Sequence, residues 1–143
     1  MDQTRIYTPK YNGVVIDYKE SSLNRAYELL FDGKNSCIKI SGDVSGNKLT
    51  MDIPMLPPAS LLDDIVDSLN NCGFFAGSGT SEDKIGTRKS LSVEAFDGDR
   101  LFEGSKSFTG DQYSWVPKAL EAYLRLPISG FLTRLDALGL TIR

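Results

Sequence analysis

The residues that most resemble a reactive site lie between positions 73 and 90, where the chain reads GFFAGSGTSEDKIGTRKS. Glycines at this density are typical of loops that cradle phosphate groups with backbone amides. The phosphate-binding loop of nucleotide enzymes needs a second glycine five positions after the first and then lysine, but Gly79 is followed at that distance by Lys84. Glu82 stands five positions after Gly77, where the dinucleotide spacing also requires glycine. We therefore interpret the stretch as a connection between a helix and a strand, with a binding loop as the alternative.

The chain contains no histidine. Its absence excludes Ser-His-Asp and Cys-His relays and zinc sites with imidazole ligands. The two cysteines, Cys37 and Cys72, lack the close spacing of a metal-binding pair, and we interpret both as buried, small apolar side chains. The sequence thus predicts no metal site and no cofactor.

Carboxylate chemistry remains open, because acidic residues form local clusters. Asp63 and Asp64 are expected in the first turn of a helix, where negative charge complements the helix dipole. Asp97 and Asp99 are expected in a turn, and a calcium loop beginning at Asp97 fails because Leu101 would occupy a ligand position. A catalytic carboxylate pair assembled from distant positions is an alternative that spacing does not reveal.

Length and charge limit the class of protein. The 143 residues fit one globular domain, residues 1–143, and the composition is 41% hydrophobic and 24% charged. A net charge of -3 argues against a nucleic-acid partner, since a phosphate backbone is bound by a clustered positive field. The first residues carry no signal segment and no apolar run reaches membrane-spanning length, so we expect a cytoplasmic protein without a membrane partner.

Hydrophobic periodicity predicts the elements of the first half. Asn12-Gly13 suits a turn before a strand over Val14 to Tyr18. Residues 21–33 predict a helix that ends at Gly33, because apolar residues recur at helical spacing. Two alternating strands follow, around Ile40 and Met51, with a loose loop over residues 42–47 between them.

The second half begins with the clearest helix, over residues 60–72, with Ser60 as its N-cap and Gly73 after its end. Leu91, Val93 and Ala95 alternate as a strand before a hairpin turn of two, three or four residues at Asp97-Gly98. Two further helices are predicted, one from the cap Ser114 to Pro127 and one over residues 129–139, and residues 140–143 are expected to form a short strand.

Strands joined by tight turns pair antiparallel, and the intervening helices need an apolar surface. The expected fold is therefore α+β, with an antiparallel sheet of about five to seven short strands in hairpins and three to four helices packed mainly on one face.

The lack of catalytic groups favours a non-catalytic protein-binding domain. We expect an acidic surface that recognises a basic protein, as a small bacterial or phage immunity or inhibitor protein would. The candidate partner-binding residues are Glu82, Asp83, Asp97, Asp99 and Trp115. Trp115, the sole tryptophan, is predicted mainly to pack at a helix entry, and tryptophan is also common in binding hot spots. Two alternatives stay open: a small enzyme or ligand-binding protein that uses Asp, Glu, Tyr or Lys between sheet and helices, and a subunit that pairs through a sheet edge.

Overall fold

The computed structural model of the chain describes residues 8–22, 25–33, 37–44, 46–53, 58–76, 79–80, 88–110 and 113–141. Within them the chain forms six long antiparallel strands, one two-residue strand and three helices, which confirms the α+β class. The strands are β1 (Asn12–Ser21), β2 (Arg25–Asp32), β3 (Cys37–Val44), β4 (Asn47–Ile53), β5 (Gly79–Thr80), β6 (Arg88–Asp97) and β7 (Arg100–Phe108), and the helices are α1 (Ala59–Asn71), α2 (Trp115–Tyr123) and α3 (Arg125–Thr141).

All seven strands belong to one sheet, in the order β4-β3-β2-β1-β6-β7-β5. The first four strands form a meander, and the hairpin of β6 and β7 joins it along β1. Among the strands of the described residues, only β5 runs parallel to its neighbour, pairing with β7 at Lys106 and Ser107. β1 is the central long strand, with β2 on one side and β6 on the other.

The predicted helix over residues 21–33 is wrong, because Arg25–Asp32 is strand β2. Tyr27, Leu29 and Phe31 recur at every second position, and this period of two competes with the helical spacing of the same segment. The strand forms because β2 pairs with β3 along its whole length and with β1 from Ala26 to Asp32, and this pairing buries Leu29 and Phe31. Gly33 does not end a helix. Its amide donates to the Val14 carbonyl over 2.8 Å, so the chain passes close to β1.

The predicted turn at Asn12-Gly13 is wrong, because both residues belong to strand β1, whereas the predicted hairpin turn at Asp97-Gly98 is confirmed. Asp97 pairs with Arg100, so Gly98 and Asp99 form a two-residue turn, the shortest of the three lengths considered. Gly98 has a φ of 63°, which the absence of a Cβ makes inexpensive. Gly42 does not lie in a loop: it is part of β3, and only residues 45 and 46 connect β3 to β4.

One face of the sheet carries the core, and we call it the buried face. The strand side chains of the core alternate in register across the sheet: Ile16 lies opposite Phe31 on β2 and Val93 on β6, and all three are nearly inaccessible. α3 contacts β3 and β4, and its Phe131 and Leu135 lie where a Cβ at Gly42 would be, on this face. Each fully buried aliphatic or aromatic side chain contributes about 1.5–3 kcal/mol, so this layer is the main source of stability.

The predicted helix over residues 60–72 is confirmed as α1, whose Leu62, Ile65, Val66 and Leu69 are buried. The prediction for Cys72 is wrong: Cys72 is exposed, and Cys37 is only partly buried. Helices rarely bury their final turn completely, and Cys72 already lies beyond the last residue of α1.

The two ends of α1 differ from one another. The helix begins at Ala59, so Ser60 is not its N-cap. At the other end Gly73 has a φ of 81° and the Phe74 amide donates to the Leu69 carbonyl over 2.9 Å, which is a Schellman motif. Phe74 is buried against Gly104 of β7, and this contact fastens the end of the helix to the sheet.

Asp63 and Asp64 do not lie in the first turn of α1, so their assignment to the helix dipole is wrong. Asp63 is buried, and its carboxylate accepts the backbone amides of Lys10 over 2.8 Å and Tyr11 over 3.1 Å. It therefore binds the segment that leads into β1 to the helix.

The C-terminal region is helical beyond the predicted limit. Ser114 precedes α2 as predicted, but Pro127 lies in the first turn of α3 instead of ending a helix. The predicted strand at residues 140–143 is wrong for Leu140 and Thr141, which belong to α3, and the last two residues lie outside the described part of the chain. No helix in the described residues is long and apolar enough to cross a membrane.

Candidate functional site

The side chains that alternate with the core form the other face of the sheet, which we call the polar face. Asp17, Lys19 and Glu28 are among them, and register places them next to one another on β1 and β2. Serine is frequent on the outer strands of this face, at Ser90, Ser92, Ser105 and Ser107 on β6 and β7. Two open hollows occupy this face, one toward each end of the strands.

The first hollow has a volume of about 750 Å³, and the described residues that line it include four carboxylates and no lysine or arginine. We call it the acidic hollow. Its acidic residues are Asp17 on β1, Asp32 on β2, Glu94 on β6 and Glu103 on β7. Although four carboxylates meet here, no group of three or more metal-ligating side chains among the described residues is arranged to hold a metal ion.

Glu94 and Glu103 are direct cross-strand partners. Like charges in directly opposite positions destabilise a sheet. Val15 of β1 is the cross-strand partner of both Glu94 and Asp32, so Glu103, Glu94, Val15 and Asp32 form one row across four strands. The row therefore places carboxylates on three of four neighbouring strands.

The floor of the acidic hollow is apolar. Val15 and Leu30 are partly buried on the polar face and lie diagonally across the β1–β2 pair. Phe75, which follows α1, also lines the hollow and contacts the ring of Phe102 at a centroid distance of 5.7 Å. An apolar centre with a charged rim is the arrangement found in protein-binding surfaces.

The second hollow is larger, about 910 Å³, and is lined by hydroxyl groups and by charges of both signs. We call it the hydroxyl hollow. Its four cationic residues are matched by three acidic ones, and Lys89 is held near Glu20 at 3.9 Å while it donates to the Gly110 carbonyl over 2.7 Å. Because its charges largely offset each other, this hollow has a weaker field than the smaller acidic one.

A carboxyl pair, Asp17 and Glu28, lies where the two hollows meet. A hydrogen bond to Asp17, together with burial and the nearby negative charge, raises the pKa of Glu28 to about 7. Lys19 opposes the shift; its Nζ lies 3.9 Å from Asp17 Oδ2. Asp17 Oδ1 is enclosed and lacks a hydrogen-bond partner among the described residues.

The sequence-predicted site residues are only partly brought together. Asp97 and Asp99 are exposed at the β6–β7 turn, beyond the Glu94–Glu103 pair and at the same end of the sheet. Trp115 is the first residue of α2, packs partly buried against the core and does not line either hollow. Glu82 and Asp83 lie outside the described residues.

The glycine-rich stretch has the predicted position. Its described parts leave the end of α1, form β5 and enter β6. None of these parts precedes a helix, where a phosphate-binding loop would place its amides.

Sequence reasoning missed the four carboxylates of the acidic hollow. The alternation of Leu91, Val93 and Ala95 already predicts that Glu94 points away from the core. Placing Glu103 beside it requires the register of the hairpin, which the turn length sets. Asp32 was hidden because its segment was assigned to a helix.

Comparison of the chain with models of known protein families and with curated proteins finds no match. Its function must therefore be argued from its own surface.

Proposed function

We propose that this chain is a non-catalytic protein-binding domain that recognises a basic protein surface through the acidic hollow. Neutralising a basic partner, as immunity and inhibitor proteins do, is the role that such a surface serves. Complementary charge accelerates encounter, and an apolar contact at the centre slows release. The acidic rim also argues for a protein partner over a nucleic acid, whose phosphates it would repel.

The observation that carries the proposal is the Glu94–Glu103 pair. Directly opposed carboxylates repel each other and so weaken the hairpin that holds them. A lysine or arginine from a partner would convert the repulsion into two attractions. Val15 and Leu30, beside the pair, offer the apolar contact that a charged surface alone lacks.

The proposal requires all helices to pack on the buried face and to leave the polar face accessible. Three contacts support this arrangement: α3 lies against β3 and β4, Phe74 at the end of α1 lies against Gly104, and Leu120 of α2 is buried in the core. We also propose a cytoplasmic location, which both free thiols, Cys37 and Cys72, support because disulfides are rare there.

Affinity capture from the native host tests the proposal with three forms of the chain: the wild type, the E94K/E103K variant and a matched control, D64K/E121K. The control reverses two exposed charges on helices and so changes net charge equally. We expect the wild type and the control to retain one stoichiometric basic protein and E94K/E103K to lose it. Equal retention by all three forms would overturn the proposal.

A second candidate function rests on Glu28, whose pKa near neutrality suits a general acid or base. The hydroxyl hollow beside it, with several hydroxyl groups, would accommodate a small polar ligand. A metabolite that co-purifies with the wild type, and is absent from folded E28Q, would favour this reading. The open shape of both hollows favours the protein-binding function, because enzyme sites usually enclose their substrates.

A further inference from the structure

β4 forms one edge of the sheet, and in the described part of the chain it pairs with β3 alone. Edge strands are commonly protected by proline, bulges or short length, because their outer backbone groups can pair with another strand. Asn47–Ile53 contains no proline, and its pairing with β3 is regular over seven residues. Charge is the only protection it carries, at Lys48 and Asp52.

The outer backbone groups of β4 belong to three residues. Val44 pairs with Asn47 across a two-residue connection, and such a connection closes on a hydrogen-bonded pair. Hydrogen-bonded and non-hydrogen-bonded pairs then alternate along β3 and β4. The amides and carbonyls of Lys48, Thr50 and Asp52 are therefore directed away from β3.

We propose that two copies of this chain pair along β4, in antiparallel register centred on Thr50, to form one continuous sheet. In this register Lys48 of each copy lies opposite Asp52 of the other, and Thr50 lies opposite Thr50. The three outward residues match in pairs, so about six backbone hydrogen bonds form between the two β4 strands. We call this contact between Lys48, Thr50 and Asp52 of the two copies the seam. A two-fold axis generates this arrangement with no unpaired strand left between the copies.

The charges of β3 extend the match. Lys39 is the cross-strand partner of Asp52, and Asp43 is the partner of Lys48. On the polar face, Lys39 and Asp52 of one copy are therefore followed across the seam by Lys48 and Asp43 of the second copy. The charges of these four neighbouring side chains alternate in sign. Opposite charges in adjacent cross-strand positions stabilise a sheet, and like charges there would disfavour other registers.

The buried face agrees with the same register. Leu49 of each copy lies opposite Met51 of the other, and both side chains are only partly buried in the single chain. α3 packs over β3 and β4, the two strands next to the seam, so the two α3 helices come side by side. Pairing therefore adds apolar contact beneath the hydrogen bonds.

Sedimentation velocity from micromolar to millimolar concentration tests the proposal. The wild type should dimerise, and K48D and D52K should each weaken self-association about tenfold or more, because each places like charges at both ends of the seam. An equimolar mixture of K48D and D52K should dimerise again, since every opposed pair then carries opposite charges. K118D, a lysine reversal on the exposed surface of α2, should behave as the wild type.

T50P supplies a test that does not depend on charge. Proline at this position removes an outward amide and leaves the bonds to β3 in place, so the variant should fold and remain monomeric. A wild type that stays monomeric at millimolar concentration would overturn the proposal. A dimer that survives in T50P, or a K48D and D52K mixture that fails to associate, would overturn it as well. This inference goes beyond the proposed function, and its tests require no partner protein.

Discussion

Replacing Glu28 with glutamine should make the protein more stable at pH 8 and leave its stability at pH 5 nearly unchanged. The pKa of Glu28 is raised from the ordinary 4.5 to about 7, first by the hydrogen bond to Asp17 and then by burial. The native state therefore binds this proton more tightly than the unfolded state. Stability from this group is fully present below pH 4.5 and is lost as pH rises through about 7. Glutamine stays neutral and can donate its amide to Asp17 throughout this range.

The size of the effect follows from linkage. Each unit of difference between the folded and unfolded pKa corresponds to about 1.4 kcal/mol, so the rise from 4.5 to about 7 sets an upper bound of about 3.5 kcal/mol. Glu28 is only partly buried on an open face, and solvent screening reduces the interaction. We therefore expect the wild type to lose about 1–2 kcal/mol of unfolding free energy between pH 5 and pH 8 because of this group.

Urea unfolding at pH 5, 6, 7 and 8 measures the effect, with E103Q as a matched control that removes a carboxylate from the same face and leaves the Asp17–Glu28 pair intact. E28Q should flatten the decline that the wild type shows, and E103Q should follow the wild type with a constant offset. Parallel pH profiles for E28Q and the wild type would show that the two carboxyl groups do not share a proton and would refute the reasoning.

Three further substitutions, two of them with a control variant, test the fold and the site. G33A should destabilise the chain by about 1–3 kcal/mol in urea unfolding, because the added Cβ would clash with a backbone oxygen of β1. G130A, in helix α3, should stabilise the chain by about 0.5–1 kcal/mol, because the added Cβ has no atom within 4 Å. D63A should cost about 2–3 kcal/mol because it leaves two backbone amides without their acceptor, and D64A, on the exposed side of α1, should stay within about 0.5 kcal/mol of the wild type. E103K should raise the free energy of unfolding by about 0.5 kcal/mol, because it replaces repulsion between opposed carboxylates with attraction to Glu94. The same variant should bind the basic partner more weakly in calorimetry.

Local signals predicted elements wherever one period dominated. α1 was found because its apolar stripe repeats at helical spacing over 13 residues and Gly73 supplies the left-handed residue after it. The hairpin turn beside Asp97 was found because Gly98 suits the first position of the two-residue turn that Gly98 and Asp99 form. β2 was missed because its apolar residues satisfy both periods, and only pairing with β1 and β3 decides between them.

The site depends on register, which is a long-range property. Asp17, Asp32, Glu94 and Glu103 come from four strands separated by up to 86 positions in the chain, and they meet only because β6 pairs with β1. Their charges are visible in the sequence, but their common face is not, since a one-residue slip would send half of them to the core. The fold class was therefore predictable and the acidic hollow was not.

The seam lies at the β4 edge of the sheet, whereas Glu94 and Glu103 of the acidic hollow lie on β6 and β7, toward the other edge. This separation makes the effects of the two surfaces experimentally distinct. Four strand spacings of about 4.8 Å each separate β4 from β6, so in the paired form the two Glu94 residues lie about 40 Å apart. A partner domain of about 100 residues is narrower than this, so two partners can bind one dimer without contact.

A two-fold symmetric partner would instead bind both hollows at once and gain avidity. K48D should then reduce the apparent affinity for a dimeric partner and leave the affinity for a monomeric one unchanged, whereas E94K/E103K should reduce both. An equal loss of affinity for both kinds of partner in K48D would mean that the seam residue belongs to the binding surface itself.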